Sequence, residues 1–217
     1  MAMHSETWVV VGASRGIGLE FTKQLLEGGQ KVIAGHFASK VQAASKNGMS
    51  PKNIILNAGV LKYPNRATEI SYADFALHLH TNTIGPVICA RKLIDLDLES
   101  PPTKVVFISS DSGSATVFRA YEDGFAAYAA SKAALNQIIR HMAAELARCE
   151  GKRNKICILA MHPGEVQTDM ANVELDWEVE GMIQADESVR DMLKVIGEKN
   201  ENDSGTFWCW NGKSHPW

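Results

Sequence analysis

Apolar positions along the chain fall into short runs, separated by longer stretches in which they recur with helical period. Trp8–Val11 is a run rich in β-branched residues, and a turn with Gly12, Gly16 and Gly18 follows it. An amphipathic stretch, Leu19–Glu27, closes on Gly28-Gly29, a helix stop signal. Lys31–Ala34 is the next short apolar run. A helix-like piece around Ser39–Ser45 and a polar break at Asn47–Asn53 separate it from a buried-type strand, Ile54–Leu56. A long helical pattern runs from about Tyr72 to Leu96, broken only by Gly85-Pro86, and Pro101-Pro102 stops it. Lys104–Ser109 reads as a strand, Ala126–Arg148 as a second long helix, and Lys155–Ala160 as a strand ending in His162-Pro163-Gly164. Glu187–Ile196 reads as helix and Thr206–Trp210 as a last strand. Strands alternate with helices throughout, which predicts an α/β fold with a mostly parallel sheet, and no repeat or linker divides it.

Composition narrows the class. With 217 residues, one domain over 1–217 with a full-sized core is expected. Apolar residues are 45% and charged residues 22%, which excludes a disordered chain or a coiled coil. A net charge of −3 argues against nucleic-acid or anionic-membrane partners, which need a basic stripe. The polar start and the lack of a long apolar run predict a cytoplasmic protein without signal or membrane span. Cys89, Cys149, Cys157 and Cys209 match neither a disulfide framework nor a metal motif and read as free thiols. His78 and His80 lie two apart on a helix, on different faces, so no metal site is expected.

Two groups of residues carry chemistry. The Gly12-Ala13-Ser14-Arg15-Gly16-Ile17-Gly18 turn joins a strand to a helix. Glycines there let the backbone approach a pyrophosphate, which the helix N-terminus attracts through unpaired N–H groups. A Ser14 hydroxyl and an Arg15 guanidinium suit phosphate oxygens. No acidic residue ends the second strand, where Gly35 and His36 stand, so NADP(H) is expected over NAD(H). The second group is Tyr128 and Lys132, four apart and on one helix face, about 5–6 Å apart at Cβ. A lysine ammonium there is expected to lower the phenol from about 10 toward neutrality, which takes roughly 4 kcal/mol. As a bare spacing this is also an ordinary surface pair.

With Asn57-Ala58-Gly59, Asn82, Ser109-Ser110, Tyr128-Ala129-Ala130-Ser131-Lys132, Pro163-Gly164 and Thr168 in order, the chain resembles the short-chain dehydrogenase/reductase family. Ser188-Val189, Met192–Ile196, Gly205-Thr206-Phe207 and Pro216-Trp217 resemble the tail of its C-factor and sniffer-type carbonyl reductase branch. The resemblance implies a Rossmann-type doubly wound sheet and NADP-dependent reduction of a small carbonyl. It implies Tyr128 as general acid, Lys132 as its electrostatic and ribose partner, Ser110 as carbonyl donor and Asn82 as holder of a relay water. Gly12, Ser14, Arg15, Gly16, Ile17, Gly18, His36, Asn57, Ala58 and Gly59 would line the cofactor's phosphate and adenosine side. Pro163, Gly164, Val166 and Thr168 would hold the nicotinamide, and the two long helices would pair chains as a homodimer or homotetramer.

Some positions depart from the family pattern. Val11 and Leu56 replace polar residues, and Glu165 stands where an apolar or aromatic residue is usual. The 17 residues at 36–52 are too few for the usual helix–strand–helix block, since a βαβ crossover takes roughly 30. The expectation is a missing third (edge) strand, an open adenine pocket and weakened cofactor binding. The loop from Ser110 to Tyr128, with Phe118, Arg119, Tyr121, Glu122, Asp123 and Phe125, reads equally as substrate mouth or plain surface loop. Two alternatives stay open: a cofactor-binding regulator with impaired catalysis, and a non-redox isomerase or dehydratase using Tyr128 and Lys132.

Overall fold

The computed structural model describes residues 5–35, 41, 43, 44, 49–96, 98, 100–175 and 177–217. Its strands are β1 (Thr7–Val11), β2 (Lys31–Ala34), β3 (Pro51–Leu56), β4 (Lys104–Ile108), β5 (Cys157–His162) and β6 (Thr206–Cys209). Its helices are α1 (Gly16–Glu27), α2 (Tyr72–Leu79), α3 (Gly85–Ile94), α4 (Ala126–Ala147) and α5 (Ala185–Glu198). All strands are parallel, in the order β2-β1-β3-β4-β5-β6.

Residue alternation assigns the two faces. Val9, Val11, Ile54, Leu56, Val105, Phe107, Ile158 and Ala160 point to one side, where Leu93 of α3 and Leu135 and Ile139 of α4 cover them. Trp8, Val10, Ile55, Val106, Leu159 and Met161 point to the other, under Phe21 and Leu25 of α1 and Val189, Met192 and Ile196 of α5. Both faces are covered, which explains why the strands read as continuous apolar runs. Burying Leu135 and Ile139 fixes α4 on the sheet, each contributing roughly 1.5–3 kcal/mol.

The chain leaves β1 toward β2 on one side and toward β3 on the other, so the crevice at the carboxyl ends of β1 and β3 is the switch point. Among the described residues β2 is the sheet edge, as the short 36–52 segment implies. The helix expected around Ser39–Ser45 lies largely outside the described residues, and Val41 is buried in the core. The long helical pattern is interrupted where Gly85-Pro86 foretold. A π-helical turn, His80–Ile84, joins α2 to α3 and spares the missing N–H of Pro86. Asn82 and Thr83 are thereby turned inward and buried. The four cysteines are free. Trp217 stacks on Phe207 and Trp208 carries Lys199 over its ring, so these tryptophans pack in the last strand and tail.

Candidate active site

The glycine turn is built by close approach. Gly12 has φ +83°, and a Cβ there would stand 2.6 Å from the Ala58 nitrogen. A Cβ on Gly18 would stand 2.1 Å from the Gly12 carbonyl oxygen and 2.5 Å from Asn57 Nδ2. Asn57 Nδ2 donates to that same carbonyl at 3.0 Å, tying the end of β3 to the turn. Thr168 lies against Gly16, its Cγ2 3.5 Å from a Cβ built there. Ser14 and Arg15 are exposed, and Arg15, at the N-cap of α1, makes no side-chain cap. The first N–H groups of α1 therefore face the crevice without a capping side chain. This arrangement fits a pyrophosphate, and no Cβ fills the place where one would approach. His36 lies outside the described residues.

Tyr128 and Lys132 stand in the first two turns of α4. Lys132 is 5% exposed, its Nζ donates to the Ile108 carbonyl at 2.9 Å, and it lies 5.7 Å from the Tyr128 ring centre. Gly113 allows the turn after β4 to sit on α4, because a Cβ there would meet Lys132 Cβ at 2.7 Å. Asn136 holds this turn, accepting from the Ser109 hydroxyl at 2.6 Å and donating to the Gly113 carbonyl at 3.1 Å. Ser109 is thus committed to Asn136, whereas the Ser110 hydroxyl donates to Asp111 Oδ1 at 3.2 Å and acts on the Tyr128 phenol.

Asn82 Oδ1 accepts from the Val60 N–H at 2.8 Å, and its Nδ2 donates to the Val60 carbonyl at 2.9 Å and Ser131 Oγ at 3.0 Å. The Ser131 hydroxyl donates to the Tyr128 carbonyl at 2.7 Å. Gly59 lies between Asn82 and Lys132, with Asn82 Oδ1 and Lys132 Nζ 3.4 and 3.9 Å from a Cβ built on it. On the far side, Ser188 Oγ donates to the Pro163 carbonyl at 2.6 Å, and Gly164, at φ +85°, leaves room for Trp210. Val166 pairs with Ile183. A cavity of about 360 Å³ beside Thr168 is lined by Gln167, Asp169, Ala171, Asn172 and Met182.

One expectation is corrected. Burial pushes the Tyr128 phenol up to about 12, the Ser110 hydrogen bond opposes this, and the Asp111 and Glu165 charges add to it. Burial also pushes Lys132 down to about 8. The i, i+4 spacing brings the two together but says nothing of solvent, and desolvation favours the neutral form of each. The phenol therefore holds its proton at neutral pH.

Asn65 carries no sequence signal, and the partners of Arg119, Glu122 and Glu165 carry none either. Asn65, 2% exposed, accepts at Oδ1 from the Ala127 and Tyr128 N–H groups at 2.7 and 3.1 Å, capping α4 from a distant loop. Arg119 bridges Asp111 Oδ2 at 2.5 Å and Glu122 Oε1 at 2.8 Å. Burial pushes Asp111 up, but His162 and Arg119 outweigh it and hold this carboxyl below its ordinary range. The Asp111 N–H donates to His162 Nδ1 at 3.3 Å, and burial pushes that imidazole down to about 4. Burial and the Asp111 charge push the Glu165 carboxyl up to about 7. Tyr121 and Phe125 meet Trp177 edge-on at 5.7 and 6.2 Å, so the loops after β4 and β5 touch across the mouth.

A family model described as short chain dehydrogenase matches residues 41–179. The C-signal protein of Myxococcus xanthus is 34% identical over 165 residues, covering 76% of this chain and 91% of that protein. The structure of an NADPH-bound carbonyl reductase from chicken fatty liver superposes with a TM-score of 0.80 at 27% identity, covering 99% of this chain and 100% of that one. The carbonyl reductase Sniffer of Drosophila melanogaster shares the fold, with a TM-score of 0.74 at 20% identity and coverage of 99% and 100%. The glycine turn at the switch point and the Ser110, Tyr128 and Lys132 group thus sit in a chain that belongs to the short-chain dehydrogenase family.

Proposed function

We propose that the chain is a single dinucleotide-binding domain that reduces a small carbonyl compound with NADP(H). The observation that carries this reading is the meeting of Ser110, Tyr128 and Lys132 beside the open N-terminus of α1. NADPH, when bound, supplies a hydride to the carbonyl carbon. Tyr128 Oη, protonated at neutral pH, gives its proton to the carbonyl oxygen as charge develops there. Ser110 Oγ donates a hydrogen bond to the same oxygen and positions it. Lys132 stabilises the tyrosinate left behind, and its Nζ retains donors beyond the one given to Ile108 for ribose hydroxyls. Asn82 holds the backbone at Val60 and the Ser131 hydroxyl in register with Tyr128.

Gly12, Ser14, Arg15, Gly16, Ile17 and Gly18 would take the phosphates, with Asn57, Ala58, Gly59 and His36 on the adenosine side. Pro163, Gly164, Val166 and Thr168 would receive the nicotinamide. The absence of an acid at the end of β2 and the exposed Arg15 favour a 2′-phosphate, in keeping with the NADPH named for the chicken carbonyl reductase. The short 36–52 segment beyond β2 would leave the adenine end open, which favours modest affinity. The test is NADPH consumption over a panel of aldehydes and ketones, run in parallel with NADH. Turnover with NADPH in excess over NADH supports the reading. Clear NADPH binding with no turnover across the panel contradicts it and favours a regulatory role.

A further inference from the structure

The groups around the Ser110 and Tyr128 hydroxyls are unbalanced in charge. Asp111, Glu122 and Glu165 bring three carboxyl groups to this side of the crevice, and Arg119 is shared by the first two. Ser110 Oγ and the Ser112 N–H also bind Asp111 Oδ1, at 3.2 and 2.8 Å, so Asp111 is fully engaged. His162 is neutral at physiological pH, with Nδ1 accepting from backbone. Glu165 is different. Its carboxyl lies within 4.8 Å of ligand atoms of Asp111 and His162, yet it has no ion pair or side-chain hydrogen bond among the described residues. It is half-buried, and its charge reaches the Tyr128 phenol. A half-buried carboxylate without a donor is costly and awaits one. The loops after β4 and β5, which carry Glu122 and Glu165, also bring together the rings of Tyr121, Phe125 and Trp177, and such rings attract ammonium groups.

We infer that the substrate carries a cationic nitrogen besides its carbonyl, and that Glu165 selects it by pairing with that nitrogen. This rests on the carbonyl-reductase reading and names its substrate class. A carboxylate-bearing substrate meets Asp111, Glu122 and Glu165 with repulsion. A purely aliphatic one leaves Glu165 without a donor.

The experiment compares two methyl ketones of equal length with NADPH, one ending in a dimethylammonium group and the other in its isopropyl isostere. In the unmodified protein at about pH 8, kcat/KM for the ammonium ketone is expected to exceed that for the isostere roughly tenfold or more, as charge-assisted hydrogen bonds do. The preference is expected to shrink toward about pH 5 as Glu165 takes up a proton, the facing groups being Asp111, His162, Arg119, Glu122 and Tyr128. In Glu165→Gln the ratio is expected to fall to about one. An isostere reduced as well as the ammonium ketone overturns the inference, whatever the variant does. So does a preference that persists in a folded Glu165→Gln. If neither ketone is reduced, calorimetric binding of both to the NADPH-loaded protein decides. Tighter binding of the ammonium ketone that Glu165→Gln removes supports the role of Glu165 even though the reductase reading has failed. Equal binding overturns both. Binding of Mg²⁺ or Zn²⁺ that Glu165→Gln abolishes assigns the carboxylate to a metal instead and overturns the inference.

Discussion

Replacing Asn65 with alanine removes the cap of the helix that carries Tyr128. The side chain accepts from the Ala127 and Tyr128 N–H groups at 2.7 and 3.1 Å and donates from Nδ2 to the Lys62 carbonyl at 2.6 Å. After truncation, Ala127 N keeps only a 3.3 Å bond to the Asn65 carbonyl. The Tyr128 N–H loses its acceptor at a helix start that Phe125 does not cap. Loss of a cap costs about 1–2 kcal/mol and a stranded buried N–H about 1–3 more, so with overlap the expected destabilisation is roughly 2–4 kcal/mol. For a chain of this size that lowers Tm by about 5–15 °C. Fraying the first turn of α4 also displaces the phenol, and a shift of about 1 Å lowers turnover up to roughly a hundredfold. Urea unfolding followed by tryptophan fluorescence, with kcat alongside, measures both effects. Asn65→Asp separates cap from packing, because a carboxylate accepts both N–H groups and suits a helix N-terminus. It is expected to restore more than half of the lost stability. An alanine variant within about 0.5 kcal/mol of the parent, the scatter of ordinary surface changes, or an aspartate no better than alanine, refutes the capping role.

Two further outcomes follow from the same geometry. Gly18→Ala forces a methyl onto the Gly12 carbonyl at 2.1 Å and Asn57 Nδ2 at 2.5 Å, so the turn must open. NADPH affinity by fluorescence titration is expected to fall roughly tenfold or more, and an unchanged dissociation constant would remove this turn from the phosphate site. Glu165 is raised in the folded state from an ordinary 4.5 to about 7, so the native chain binds more protons than the unfolded chain between those values and loses stability as pH rises through them. Glu165→Gln is therefore expected to gain on the parent from about pH 4.5 to 7 and level off above. The full shift corresponds to roughly 3 kcal/mol, and solvent screening reduces this to about 1–2. A gain that shrinks with rising pH in denaturation curves would contradict the burial of this carboxyl.

Helical spacing puts Tyr128 and Lys132 on one face, but it was the family resemblance that marked them as more than an ordinary surface pair. The break at Gly85-Pro86 marked where the helix opens around Asn82. The length of 36–52 agrees with β2 as the sheet edge among the described residues, since residue count limits what a crossover can contain. Asn65 was not legible: it reaches α4 across 62 positions, and a loop asparagine carries no periodicity. Arg119 stood out as a loop charge, but its sharing between Asp111 and Glu122 depends on how the loop folds back. The direction of the Tyr128 shift was misread for a related reason. Spacing fixes the distance to Lys132, whereas burial is set by the sheet ends and by loops from elsewhere in the chain.

The proton donated from Tyr128 is the centre of the account, and single-turnover reduction of a good carbonyl substrate by NADPH-saturated protein measures it. Tyr128→Phe keeps the ring against Lys132 and removes only Oη. The expected result is NADPH affinity within about twofold of the parent and a reduction rate lower by roughly a hundredfold or more, the loss of a general acid. A Tyr128→Phe protein that binds NADPH and reduces the carbonyl at the parent rate would contradict the assignment.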